Sequence, residues 1–414
     1  MTYFADADND NTKQELSETG REIGIESDDN DDDDIQPFDP SKIAIEQKAV
    51  PMDTILRRLK QGTIILSPSF QRKEVWNITK KSRLIESIML NIPLPMFYVA
   101  ADEQGKWEVV DGLQRLSAIR DYLHGDKNGV FLKLQNLEFL SKRFDNKTFK
   151  AIEDNPEDQK IVNTLLETEM RFTIINPGTP EAVKRNIFKR INTGGMPLTS
   201  QEIRHALYEG KSSELLQKLV ASNEFIQAIT IKIDDSRMGA SELILRMIAF
   251  MIMDRSAYKT GMDTWLSNAM QVLNFFPNLN KDQINKIFKD TEIPKLKITS
   301  LDEINDKFCL AMTRAKELFG HHAFRKSLPN ETRKTPINKS LFEVWGNILA
   351  EMSENNFIAL VKNQDELFNK YEELMKEREF VNSISRHSSS QKGVMQSYQN
   401  ISELVNQVIG INHD

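Results

Sequence analysis

Val109-Val110-Asp111-Gly112-Leu113-Gln114-Arg115-Leu116-Ser117-Ala118-Ile119 runs an apolar, β-branched stretch into Asp-Gly and then directly into helical spacing. A strand that meets a helix with no linker leaves the N–H groups of Gly112 to Gln114 without intrahelical acceptors, and such a turn is a ready anion site. Gly112 admits close approach to the backbone, Arg115 offers a planar fork for phosphate oxygens, and Asp111 is placed to hold a metal ion or orient a water. The same residues also read without a ligand, with Asp111 capping the helix and Arg115 pairing with it.

Around this turn the pattern is mixed. Met96 to Val99 and Trp107 to Val110 read as strands joined by a short turn at Asp102 to Gly105, Ile64-Ile65-Leu66 as a further apolar run, and Met170 to Ile175 as another strand closed by Asn176-Pro177-Gly178. Lys81 to Leu90 places Leu84, Ile85, Ile88 and Met89 on one helical face and stops before Pro93 and Pro95. Gln114 to Leu123 reads as a helix, and Pro180 opens another that runs through Arg190. Beyond residue 200 strand signals nearly vanish, and five segments between Ser241 and Lys376 show helical apolar spacing. The expected architecture is α+β: an α/β domain over 41–200, an all-helical domain over 201–380, and a helical extension or tail over 381–414.

Two further clusters carry chemistry. Ser69-Phe70-Gln71-Arg72-Lys73-Glu74-Val75-Trp76 follows a strand, and Gln71 and Arg72 with the Trp76 ring form a combination that binds a base and its phosphates together; the alternative is a tryptophan used in core or rim packing. Further on, Phe188-Lys189-Arg190-Ile191-Asn192-Thr193-Gly194-Gly195 ends one helix, and Thr199 and Glu202 form a capping box that starts the next, which carries Arg204. Basic side chains then flank an amide-rich turn, although a plain capped helix connection needs no ligand.

The chain has 414 residues and one cysteine, Cys309, which rules out an internal disulfide and cysteine-rich metal or CxxC redox sites and fits a reducing cytoplasmic setting. No apolar run approaches the roughly 20 residues of a membrane helix. The six histidines, at 124, 205, 321, 322, 387 and 413, make no HExxH or HxH pair, and no nucleophile elbow, dinucleotide fingerprint or protein-kinase set is present. The formal charge of −7 is unevenly spread: residues 1–40 carry 14 acids against 2 bases, so the remainder is mildly basic at +5. That acidic stretch, with Asp31-Asp32-Asp33-Asp34, reads as a disordered tail, either solvating or shielding a basic groove. Glu108, three residues before Asp111, would face the other side of a regular strand, which weakens a two-carboxylate, metal-dependent nuclease reading.

In this order the clusters resemble the DUF262 family, whose domain is also the N-terminal domain of GmrSD modification-dependent restriction endonucleases and is related to the ParB/sulfiredoxin fold. The resemblance rests on Phe70-Gln71-Arg72 with Trp76; on Ile92-Pro93-Leu94-Pro95 leading to Phe97-Tyr98; on Val110-Asp111-Gly112-Leu113-Gln114-Arg115-Leu116; and on Phe188 to Gly195 with Leu198 and Glu202-Ile203-Arg204. Phe324-Arg325-Lys326 and Ile337 to Glu343 look like the family's distal helical region. The family's central motif is Asp-Gly-Gln-Gln-Arg, associated with nucleotide binding and hydrolysis; here Leu113 replaces the first glutamine. DNA cutting in many members belongs to an appended HNH-type domain, and no HNH signature follows here.

The resemblance therefore implies a ParB/sulfiredoxin-like α/β domain that binds a nucleoside triphosphate with Mg²⁺, as an NTP-hydrolysing sensor or regulatory module of anti-phage defence whose helical half passes the nucleotide state to DNA or to an effector protein. In that reading Asp111, Gln114 and Arg115 are catalytic and Asp111 meets the metal. Gln71, Arg72, Trp76, Gly112, Arg190, Asn192, Gly194, Gly195 and Arg204 complete the nucleotide site. The rival expectation is a non-catalytic DNA-binding or adaptor protein whose binding falls steeply with salt.

Overall fold

The computed structural model describes residues 13–17, 19–27, 44–66, 76–126, 128–191, 198–231, 233–289 and 291–410, without the side chains at 181, 182 and 189–191. Of the expected site residues, Gln71, Arg72, Asn192, Gly194, Gly195 and the Arg190 side chain lie outside this description. The chain divides into two compact units, Pro37–Leu198 and a discontinuous one made of Met1–Gln36 with Thr199–Asp414.

Seven strands are present among the described residues. A hairpin of β1 (Gln14–Leu16) and β2 (Glu22–Glu26) belongs to the discontinuous unit. The other unit holds β3 (Ile45–Pro51), β4 (Ile64–Ile65), β5 (Phe97–Ala101), β6 (Trp107–Asp111) and β7 (Glu169–Ile175), hydrogen-bonded in the order β3-β7-β5-β6-β4. The sheet is mixed: β3 and β7 are antiparallel, as are β5 and β6, while β5–β7 and β4–β6 are parallel. The inner strands β5 and β7 present Phe97 and Phe172, whose rings stack 5.1 Å apart, and Trp107 on the third inner strand, β6, leans on Phe172 at 5.3 Å. Helices Met52–Lys60, Ile78–Met89, Leu113–Leu123 and Gln159–Glu167 supply the rest of this core through Ile55, Ile85, Leu116 and Leu165, all fully buried.

The helical unit is built around Gly239–Ile252, a helix with nearly every residue buried. A helix apolar all round must lie inside a bundle. Met262–Phe275, Leu301–Phe319, Lys339–Glu351 and Gln391–Ile409 belong to the same bundle, with Trp265 and Trp345 among the largest buried side chains. The residues beyond 381 are not set apart, because Val394, Ile401 and Val405 on the last helix belong to the same core. The protein is thus an α+β protein, mixed sheet first and helices after.

The stretch expected as a disordered tail contains the hairpin. Ile23 and Ile25 are buried in the helical core, the Glu26 N–H donates to the Ile337 carbonyl (2.9 Å), and that of Ile337 donates to Gly24 (2.8 Å). Overall composition is dominated by the aspartates after Ser27 and hides two isoleucines at strand spacing.

Candidate functional site

The turn after β6 is the element that the sequence singles out. Tyr98 pairs with Asp111 but Val99 pairs with Val109, so β6 carries an extra residue at Val110. Such a bulge bends the strand and re-aims the side chains that follow. Strict alternation is lost there: Val109 and Val110 are both buried, whereas Glu108 and Asp111 are both half-buried. The expectation that Glu108 and Asp111 lie on opposite faces therefore does not hold.

Gly112 follows with φ +97°, a left-handed conformation, and starts helix Leu113–Leu123 as a cap with no side-chain hydrogen bond. The helix has no acid in its first turn. A Cβ at Gly112 would stand 2.4 Å from a Phe97 ring carbon, so glycine is demanded by the backbone and by Phe97 whether or not a ligand approaches. Asp111 does not cap the helix.

Arg115 is committed within the protein. Its Nη2 donates to Asp111 Oδ2 at 2.8 Å and to the Met96 carbonyl at 3.3 Å, its Nη1 donates to the Pro95 carbonyl, and the guanidinium lies over Phe97, 4.4 Å from the ring centre. Burial pulls its pKa below the ordinary arginine value, while the charge of Asp111 works the other way. This corrects the picture of a fork held open for phosphate: of the two readings the residues allowed, pairing with Asp111 is the one the fold adopts. The guanidinium ties the end of β6 to the loop that precedes β5.

Gln114, half-buried on the helix's first turn, accepts the backbone N–H of Trp76 at Oε1 (3.3 Å). Trp76 itself is half-buried and packed on the α/β core, which accounts for its ring without a stacked base. Asp111, Gly112, Gln114, Arg115 and Trp76 therefore meet in one place.

Arg204 belongs to the other unit. It lies in the helical unit, 1% exposed, with Nε on Gln201 (2.8 Å), Nη2 on Glu242 (2.5 Å) and Nη1 on Asp263. The capping box of Thr199 and Glu202 does form at the head of its helix, Ser200–Leu207. In place of the expected role in nucleotide binding, the guanidinium sits in a buried ion network, 1% exposed and held by Gln201, Glu242 and Asp263. Lys339 extends the network by bridging Glu242 (2.9 Å) and Glu15 (2.6 Å). Burial would raise the Glu242 pKa, but Lys339 and Arg204 outweigh it and bring it down to about 2. The sequence singled out Arg204 but not its acidic partners, Glu242 and Asp263, which come from distant segments.

Among the described residues no group of three or more His, Cys, Asp or Glu side chains forms a metal cluster, and no helix is long and apolar enough to cross a membrane. Asp111 supplies one carboxylate, with Oδ2 already engaged. That donor set fits a Mg²⁺ held chiefly by a ligand's phosphates and not a metal caged by protein.

The fold and this turn define an α+β protein in which a bulged strand passes through a left-handed glycine directly into a helix. Residues 52–209 match the family described as the GmrSD restriction endonuclease, N-terminal domain, the family that the sequence resembles. No curated protein matches the chain.

Proposed function

We propose that the α/β unit is the nucleotide-responsive module of a restriction-related, phage-defence protein. The match over residues 52–209 supports the restriction context, and one observation supports the chemistry: an unbroken passage from a bulged strand through a left-handed glycine into a helix that no side chain caps. Uncapped amides and the positive end of a helix dipole favour a phosphate group. In this reading the triphosphate lies beside Gly112 to Gln114, Gln114 and Gln71 orient phosphate or water, and Arg72 and Arg190 supply counter-charge. Asp111 meets a Mg²⁺ that arrives with the phosphates. Arg115 acts through Asp111, which makes it a positioning residue. The helical unit passes the nucleotide state to DNA or to an effector protein.

Calorimetric titration of the purified chain with ATP, GTP and CTP, each with and without Mg²⁺, tests this. One nucleotide should bind, and Asp111→Asn should remove its Mg²⁺ dependence while circular dichroism stays unchanged. Gln114→Ala should weaken binding by about tenfold, the worth of a hydrogen bond to a charged group. If no nucleotide binds and the chain instead holds DNA with a steep salt dependence, the protein is a non-catalytic adaptor.

A further inference from the structure

The sheet of the α/β unit has a second face, turned away from the core described above. Phe97 and Val99 on β5 are wholly buried in that core, so Tyr98 between them points the other way. Residues directly opposite on paired strands share a face, and the register sets four polar side chains in one row: Gln47 on β3 is opposite Thr173 on β7, Thr173 opposite Tyr98, and Tyr98 opposite Asp111 on β6. The bulge makes this row. Regular pairing after Val99 and Val109 would set Val110 against Tyr98; the extra residue sets Asp111 there. Cβ atoms of such a pair stand about 5 Å apart, and the turn at Gly112 begins one residue beyond Asp111.

Tyr98 is the uncommitted ring of this neighbourhood. Phe97 stacks on Phe172 and carries the Arg115 guanidinium, Trp107 carries that of Arg58 (3.9 Å), Tyr122 meets Phe149 edge-on (5.9 Å), and Phe144 takes Arg143 (5.2 Å). Tyr98 is half-buried and has no aromatic, cationic or hydrogen-bonding partner among the described residues. Its backbone is nonetheless fixed. Strand β5 is bonded to β6 on one side and β7 on the other, and Met96, two residues earlier, is held at its carbonyl by Arg115 (3.3 Å) and at its sulfur by the Thr173 hydroxyl (3.4 Å). An aromatic side chain on a rigid strand loses little freedom on binding and offers a flat π-face, on which nucleobases stack.

We infer that Tyr98 is the base platform of the nucleotide site, so that the site takes nucleoside triphosphates over bare polyphosphate and purines over pyrimidines. This rests on the reading that the turn at Gly112 takes the triphosphate. With the phosphates beside Asp111, the base lies one strand away, over the Tyr98 ring. A purine has the larger π-face and stacks more strongly. Gln47 shares the face but is exposed on the edge strand, two strands from Tyr98 at about 4.8 Å per strand, and lies beyond the base.

The test is calorimetric titration of the full chain, in Mg²⁺, with ATP, GTP, CTP and inorganic tripolyphosphate in turn. ATP or GTP should bind about tenfold more tightly than tripolyphosphate, within the range that stacking on one aromatic ring supplies. Tyr98→Leu, which keeps apolar bulk without the π-face, should bring the purine nucleotide down to the tripolyphosphate affinity and leave tripolyphosphate itself unchanged. Tyr98→Phe and Gln47→Ala should both retain the unsubstituted affinities, with circular dichroism as the check on folding. If tripolyphosphate binds as tightly as the nucleotides, if CTP binds more tightly than both purines, or if Tyr98→Leu spares the purine nucleotide or weakens it and tripolyphosphate alike, the platform is wrong while the triphosphate reading stands. If neither nucleotide nor tripolyphosphate binds, that reading falls and the platform with it.

Discussion

A single carboxylate closes the turn at residues 138–140. Glu86 is buried on helix Ile78–Met89, and its two oxygens accept the N–H groups of Glu138 (2.9 Å), Phe139 (2.8 Å) and Leu140 (2.8 Å). Burial alone would raise its pKa; the three N–H bonds, with Arg83 behind them, bring it below the ordinary glutamate value. A depressed carboxylate pKa means that the folded state prefers the charged form. Its contribution is complete above the ordinary pKa of 4.5 and is lost as pH falls through the lower folded value. Glu86→Gln should therefore cost about 2–3 kcal/mol at pH 7 by urea denaturation, and the gap to the unsubstituted protein should shrink at pH 3. A gap of the same size at both pH values would show that the charge is not what closes the turn. Arg115 obeys the same logic with opposite charge, since its fork is filled by one carboxylate and two carbonyls. Residue type told that Asp111 and Arg115 act together, but not whether they face a ligand or each other, because Pro95 and Met96 reach the guanidinium only once β5 and β6 are paired.

At the scale of elements, the hairpin β1–β2 makes the sharpest claim. Ile25 is wholly buried and Ile23 nearly so, and Glu26 meets Lys326 (3.1 Å) and the Asn338 side-chain amide (2.7 Å). Ile25→Ala should destabilise the helical unit by about 2–4 kcal/mol, as a large-to-small change in a packed core does. Leu16→Ala, at a position 48% exposed, should move stability by no more than about 0.5 kcal/mol. Thermal denaturation of both variants checks this, and equal effects would mean that the hairpin is not part of the core. The helices were legible because their apolar residues recur with helical period, and β5, β6 and β7 because their β-branched and aromatic residues cluster. β3 was not: Glu46, Gln47 and Lys48 are exposed on a strand at the sheet's edge, bonded through β7, so no apolar pattern announces it. The bulge at Val110 was invisible for a related reason, since it is a property of register between two strands and not of either one.

On the scale of the whole molecule, the order of the chain and the order of the cores disagree. The helical unit takes its hairpin from before the α/β unit and its helices from after it, so its core closes over an insertion of more than a hundred residues. Loop-closure entropy grows slowly with length, so such an arrangement is tolerated, but the hairpin must bring enough stabilisation to offset it. It brings two buried isoleucines and two carboxylates that answer Lys339 and Lys326. The α/β unit, by contrast, is continuous and has its own core. Residues 37–198 expressed alone should therefore show a cooperative thermal transition. Residues 199–414 alone should melt well below the same segment joined to residues 13–27 by a short Gly/Ser linker. The burial of two isoleucines sets the difference at roughly 3–6 kcal/mol as an upper bound. Glu15→Gln in the joined form should remove part of that gain at neutral pH, because Lys339 would keep Glu242 but lose its second carboxylate. If residues 199–414 melt at the same temperature with and without the hairpin, the discontinuous core is not a cooperative unit, and the acidic N-terminal stretch returns to the solvating role that its composition suggests.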